Sequence, residues 1–204
     1  MKKLLILFCM VIALTACGST DTSSQSSSEN TGSTDNQETP VKENDKEIEE
    51  VIEQPQPQTP VIKLGEVIAI DDFAEITVTN NSFGKRIDPP NPASFYSYYE
   101  NKEAEETFLD TVITLKSLLT SAKSSDEFVD VKIVYDNKYE YRTFSAIEDN
   151  GGSDFTYTNI TSIEPLKSGV LHFLASVPLA VESDGKPLKA VITINGTEYE
   201  QIIR

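Results

Sequence analysis

The chain has 204 residues, 38% of them hydrophobic and 8% aromatic, with two cysteines, one histidine, no tryptophan and a formal net charge of −16. An acidic chain without clustered Lys or Arg is unsuited to nucleic acid or to a basic patch on anionic lipid. The cysteines are Cys9 and Cys17, so nothing beyond Cys17 can form a disulfide or a thiolate metal site.

In chain order, Lys2 and Lys3 precede an apolar run from Leu4 to Leu14, followed by Leu14-Thr15-Ala16-Cys17-Gly18. A positive start, roughly 11 apolar residues and a small-residue cleavage site describe a secretory signal peptide. A membrane span would need roughly 20 apolar residues. Leu-Thr-Ala-Cys resembles the bacterial lipobox, in which the cysteine thiol receives a diacylglycerol. The expectation is a signal peptide over residues 1–16, lipid attachment at Cys17, and a location on the outer face of the bacterial cytoplasmic membrane.

Residues 17–60 are rich in Ser, Thr, Asn, Gln, Asp and Glu, with no aromatic residue. Such a segment cannot bury enough surface to fold, and Gln54-Pro55-Gln56-Pro57-Gln58-Thr59-Pro60 favours polyproline II. It reads as a disordered tether with a root-mean-square reach of roughly 35–40 Å.

From residue 61 to 204 the apolar pattern takes period two, with β-branched and aromatic residues. Strands are expected at Glu66 to Ile70, Ala74 to Thr79, Phe95 to Tyr99, Thr107 to Leu118, Phe128 to Tyr135, Lys138 to Ile147, Val170 to Val177, Leu188 to Ile194 and Thr197 to Ile203. No helix of ordinary length is expected. Many short strands with turn signals between them predict one all-β domain, a sandwich or barrel.

Three local features sharpen this. Asn195-Gly196 between two alternating runs predicts a type I′ hairpin pairing Ile194 with Thr197, Ile192 with Tyr199, Ala190 with Gln201 and Leu188 with Ile203. That register gathers the apolar residues on one face and leaves the other wet. Around Asp136-Asn137 a two-residue turn would put Tyr139 and Tyr141 on the face away from the one carrying Val129, Val131, Ile133 and Tyr135, so a three-residue connection or a bulge is expected. Residues 107–118 are apolar on both faces, as in a central strand.

No nucleophile motif surrounds any serine or threonine, and no cofactor motif occurs. The single histidine, His172, lies in Val170-Leu171-His172-Phe173-Leu174 and reads as an outward or half-buried structural residue. Two acidic turns, residues 148–154 and 182–185, offer oxygen ligands without calcium-loop spacing and read as ordinary turns.

The strongest recognition signal is Asp88-Pro89-Pro90-Asn91-Pro92-Ala93-Ser94-Phe95-Tyr96-Ser97-Tyr98-Tyr99, a proline-rich loop running into aromatics. Phe95, Tyr96, Tyr98 and Tyr99 form a candidate binding face for an envelope protein or wall glycan; the alternative is that they cover the sandwich core or edge.

The runs Phe95 to Tyr99 leading to Thr107 to Lys116, and Glu164 to Gly169 leading to Phe173 and Val177-Pro178, resemble immunoglobulin-like domains of Gram-positive surface lipoproteins related to a mycobacterial immunoprotective extracellular antigen. The resemblance implies an immunoglobulin-like antiparallel β-sandwich and no defined activity. After Lys116 the chain departs from the pattern, with Ser117-Leu118-Leu119. The expected protein is a non-catalytic binding or structural module without cofactor, held to the membrane through its lipid. Rival readings are an accessory wall hydrolase or metal-dependent enzyme, which needs carboxylates converging on His172, and a calcium-stiffened adhesin stalk.

Overall fold

The computed structural model describes residues 59–204. The expected signal peptide, Cys17 and all of the tether except Thr59 and Pro60 lie outside the described residues.

The strands are β1 (Val61–Ile62), β2 (Val67–Ile70), β3 (Ala74–Gly84), β4 (Arg86–Ile87), β5 (Tyr99–Glu100), β6 (Glu106–Ser117), β7 (Lys123–Ser124), β8 (Val129–Tyr135), β9 (Tyr139–Asp149), β10 (Asp154–Tyr157), β11 (Ser162–Ile163), β12 (Ser168–Pro178), β13 (Leu188–Ile194) and β14 (Thr197–Ile202). Among the described residues helix is confined to one short segment, α1 (Leu179–Ser183), and two 3₁₀ turns. An all-β sandwich forms, as the strand pattern predicts and as the resemblance to immunoglobulin-like domains implies.

Ten strands make one curled path, β1-β14-β13-β8-β9-β12-β6-β3-β2, with β10 added beside β9. The path folds on itself at β9. Tyr139 to Arg142 pair with β8, whereas Thr143 to Ile147 pair with β12, so one strand serves both layers. Pairing is antiparallel except that β1 runs parallel to β14.

Between the layers lies the main core. Ile76 and Val78, Leu109, Ile113 and Leu115, and Leu171 and Phe173 come from one sheet; Val131, Ile133, Ala190, Ile192 and Ile194 come from the other. Among the described residues the core begins at Ile62, so residues 59–204 carry their own core, as an independently folding domain does.

The last hairpin has the expected register at Ile194–Thr197, Ile192–Tyr199 and Ala190–Gln201, with Asn195 and Gly196 at φ 47° and 79°. The middle hairpin pairs Tyr135 with Tyr139 and Ile133 with Tyr141 around a three-residue connection, Asp136 to Lys138. That odd loop puts Tyr141 on the core side with Ile133, as the pattern required. β6 is central, flanked by β12 and β3.

Two expectations are corrected. Phe95 to Tyr99 is not a strand: only Tyr99 enters one, in the two-residue β5, because the prolines at 89, 90 and 92 leave a loop with few ladder donors. The strand expected at Ala74 to Thr79 continues to Gly84 through a β-bulge between Val78 and Asn80. The bulge inverts the parity of side chains. Ala74, Ile76 and Val78 face the core before it; Phe83 does so after it, while Asn80 and Ser82 line the outer surface. Asn81 turns inward, receiving a bond from Thr111 Oγ1 at 2.9 Å and donating to Gln201 Oε1 at 2.9 Å, which ties the two sheets through a polar bridge.

The two sheets differ on their outer faces. The β13–β14–β8 face is wet, with Lys189–Glu200 and Lys132–Glu140 pairs at 2.7 and 3.1 Å. The other sheet is covered. The excursion from Lys85 to Glu105, together with β10, folds over it and builds a second apolar cluster of Ile87, Phe108, Ala146, Phe155 and Leu174, with Tyr99 packed against it.

Candidate functional site

On β12, Leu171, Phe173, Ala175 and Val177 enter the main core, so alternation sends His172 and Leu174 to the covered outer face. Register then fixes what His172 meets. It lies opposite Val112 of β6 and Ala146 of β9. Its diagonal neighbours on that face are Asp110 on one side and Glu148 on the other, within reach of a long side chain.

Nδ1 of His172 lies 2.8 Å from Asp110 Oδ2, and Nε2 lies 3.2 Å from Glu148 Oε1. The imidazole and the Asp110 side chain are 8% and 4% exposed, and Glu148 is 19% exposed. Phe155 closes over the ring edge-on, with centroids 4.9 Å apart. His172 is therefore buried between two carboxylates and not outward or half-buried. The alternation predicted its face, but the cover arrives from the distant segments 85–105 and 148–155.

Burial alone would pull the imidazole pKa down. The charge-assisted bond and the negative charge of Asp110, followed by those of Glu148, outweigh it, and the net shift is upward. With both nitrogens facing carboxylates, the imidazolium satisfies both contacts at once. Asp110 Oδ1 is buried and has no hydrogen-bond partner, a desolvation cost of about 1–3 kcal/mol.

Carboxylates do converge on His172, as the hydrolase reading requires. Yet Glu148 occupies the place where a catalytic triad would present its nucleophile, so neither ring nitrogen faces a serine or threonine hydroxyl. The two carboxylates sit at opposite nitrogens instead of around one point. Among the described residues no group of three or more His, Cys, Asp or Glu is placed to hold a metal ion.

The acidic turn after Glu148 is used internally. Asp149 Oδ1 accepts the Asn150 N–H at 2.8 Å, and Asp154 Oδ1 accepts the N–H groups of Ser97 and Phe155 at 2.7 and 2.8 Å. These backbone donors hold the Asp154 carboxyl below the usual range. The turn also carries the proline-rich loop. Asn91 N–H donates to Gly152 O at 2.8 Å and Ala93 N–H to Ser153 O at 3.2 Å. Gly152 sits at φ 81°, where an added Cβ would lie 2.8 Å from Pro90 and 2.9 Å from Glu148 Oε2.

The four aromatics of the candidate face divide. Phe95 is 93% exposed and Tyr98 is 46% exposed. Tyr96 is half-buried; its hydroxyl accepts from Arg86, whose guanidinium also bonds Asp88 and lies 3.6 Å over the Tyr98 ring. Tyr99 turns the other way, 5.2 Å from Phe144 and 5.7 Å from Phe155, and anchors the loop in the second cluster. Beside this lip a depression of 310 Å³ is lined by Asn80, Ser82, Arg86, Asp88, Asp110 and His172, among others. Sequence reasoning found the aromatics but missed the buried triad and this depression. Asp110, the one charged residue between Thr107 and Leu115, was the available signal.

No family model and no curated protein matches the chain. Among solved structures it is similar to an uncharacterized β-sandwich protein from Clostridium difficile 630, with a TM-score of 0.66 and 26% identity over 74% of this chain and 100% of that one. A conserved hypothetical protein from Bacillus anthracis matches with a TM-score of 0.48 and 11% identity, over 72% of this chain and 96% of that one.

Proposed function

We propose that the chain is a lipid-anchored, non-catalytic module of the bacterial cell envelope: Cys17 carries the lipid, residues 17–60 give reach, and the sandwich binds or braces an envelope protein or wall glycan. The observation that carries the binding part is the lip of Phe95, Tyr96 and Tyr98. Phe95 is almost wholly exposed on a loop whose backbone is bonded to the turn after β9. Rigid exposed aromatics give contact area at little entropic cost. The anchor rests on the lipobox-like Leu14-Thr15-Ala16-Cys17, and the β-sandwich likeness supports a presenting scaffold.

Two experiments test it. Lipid labelling of the full chain in a bacterial host should disappear in Cys17→Ala, and persistence of label would remove the anchor. Residues 59–204 should be retained on purified wall material or on membranes bearing envelope proteins, and a folded Phe95→Ala, Tyr98→Ala double variant should lose that retention. Equal retention of both proteins would place the binding face elsewhere, and no retention by either would leave a bracing role.

A further inference from the structure

We propose that the Glu148–His172 contact is a proton-controlled latch that holds the aromatic loop down, and that loss of one proton from His172 frees the turn after β9 together with residues 88–98. The effect on partner binding rests on the reading above, whereas the latch itself is read without any partner.

The geometry supplies a continuous mechanical path. His172 is fixed in the central strand β12 and meets Glu148 at 3.2 Å. Glu148 is followed by the turn whose Gly152 and Ser153 carbonyls accept the Asn91 and Ala93 N–H groups. Asn91 Nδ2 also reaches Gly151 O at 3.3 Å, and Asp154 receives Ser97 N–H. Four bonds thus tie the loop to a turn held by the β9–β10 pairing at its base and by the imidazole through the Glu148 side chain.

A neutral imidazole has one N–H, yet two carboxylates face its two nitrogens. Asp110 is closer and more deeply buried, with nowhere to go, so the remaining proton stays on Nδ1 and is donated to its carboxylate. Nε2 then turns a lone pair toward Glu148, and attraction becomes repulsion. Glu148 has room to leave: it borders an open depression of 230 Å³ lined also by Gly151, Gly152, Ser168, Gly169 and Val170. The charged groups around the ring come from every packed element. They are Asp110 of β6, Glu148 of β9, and Arg86 and Asp88 along the depression on the β4 side; β10 contributes the uncharged Phe155. The Arg86–Asp88 pair is internally neutralised, leaving the two carboxylates to decide the state of the ring.

Because His172 is the only histidine, its ring resonances report one site. In residues 59–204, the ring should be followed from about pH 5.5 to about pH 9 beside amide exchange at Asn91, Ala93 and Ser97, corrected for base catalysis. Protection at these amides should fall by about tenfold or more as the ring loses its proton, with a common midpoint, while β13–β14 amides stay unchanged. In Glu148→Gln the carboxamide can accept from the charged ring and donate to the neutral one, so protection should become nearly independent of pH. His172→Gln, which has no ring to titrate, should show the same flat profile. Constant protection across the midpoint, an equal fall in Glu148→Gln, or a ring that stays charged throughout would each overturn the latch.

Discussion

His172 Nδ1 and Asp110 Oδ2 lie 2.8 Å apart, diagonally across the β12–β6 pair, while the second oxygen of the same carboxylate meets no donor. The pair is thus strongly made on one side and costly on the other. Buried ion pairs add little over an apolar replacement, but removing one partner strands the other.

Asp110→Ala should therefore cost about 3 kcal/mol of stability at about pH 6, where the imidazole is charged. The measurement is urea unfolding of residues 59–204. A cost below about 1 kcal/mol would show that the imidazolium finds another partner.

The pH dependence has a definite sign. The folded pKa of His172 is raised above its unfolded value of about 6.5. Its stabilising contribution is therefore fully present below about pH 6.5 and is lost as pH rises through the folded value. The stability difference between the native protein and His172→Gln should shrink on the alkaline side, measured by unfolding at a series of pH values. A difference that grows with pH would contradict the raised value.

Gly151 and Gly152 offer a matched pair. Both have positive φ, at 74° and 81°, but a Cβ at Gly151 meets nothing, whereas one at Gly152 meets Pro90 and Glu148. Gly151→Ala should cost about 1 kcal/mol, the conformational part alone. Gly152→Ala should cost about 1–3 kcal/mol more and loosen exchange at Asn91 and Ala93. Equal costs would mean that the loop does not press on the turn.

The aromatic loop should split the same way. Phe95→Ala should change stability by less than about 0.5 kcal/mol, because the side chain is 93% exposed. Tyr99→Ala should cost about 2–3 kcal/mol, because its ring packs against Phe144 and Phe155. Thermal or denaturant unfolding of the two variants separates recognition residues from anchoring ones.

Much of the sandwich could be read from local pattern. The Asn195-Gly196 register follows from a turn type and a period of two, and the three-residue loop at Asp136 follows from asking Tyr141 to share a face with Ile133. The β3 continuation was not readable. Asn80, Asn81 and Ser82 are poor strand formers, and they extend the strand because β6 offers its ladder to them past a bulge. β10 was likewise missed, since four residues beside an acidic turn carry almost no periodic signal.

By itself, the sequence determined the class of fold, its central strand, the registers of the β8–β9 and β13–β14 hairpins and the aromatic character of one loop. Each depends on alternation and turn chemistry over a dozen residues or fewer. Tertiary structure decided which aromatics are free, and that His172 is buried between Asp110 and Glu148. Those outcomes depend on which strands become neighbours and on which loop folds over the outer face. Alternation reports only that a side chain points away from the core, and whether that direction leads to water or to a second, covered cluster is set by the long-range packing of residues 85–105 and 148–155 against it.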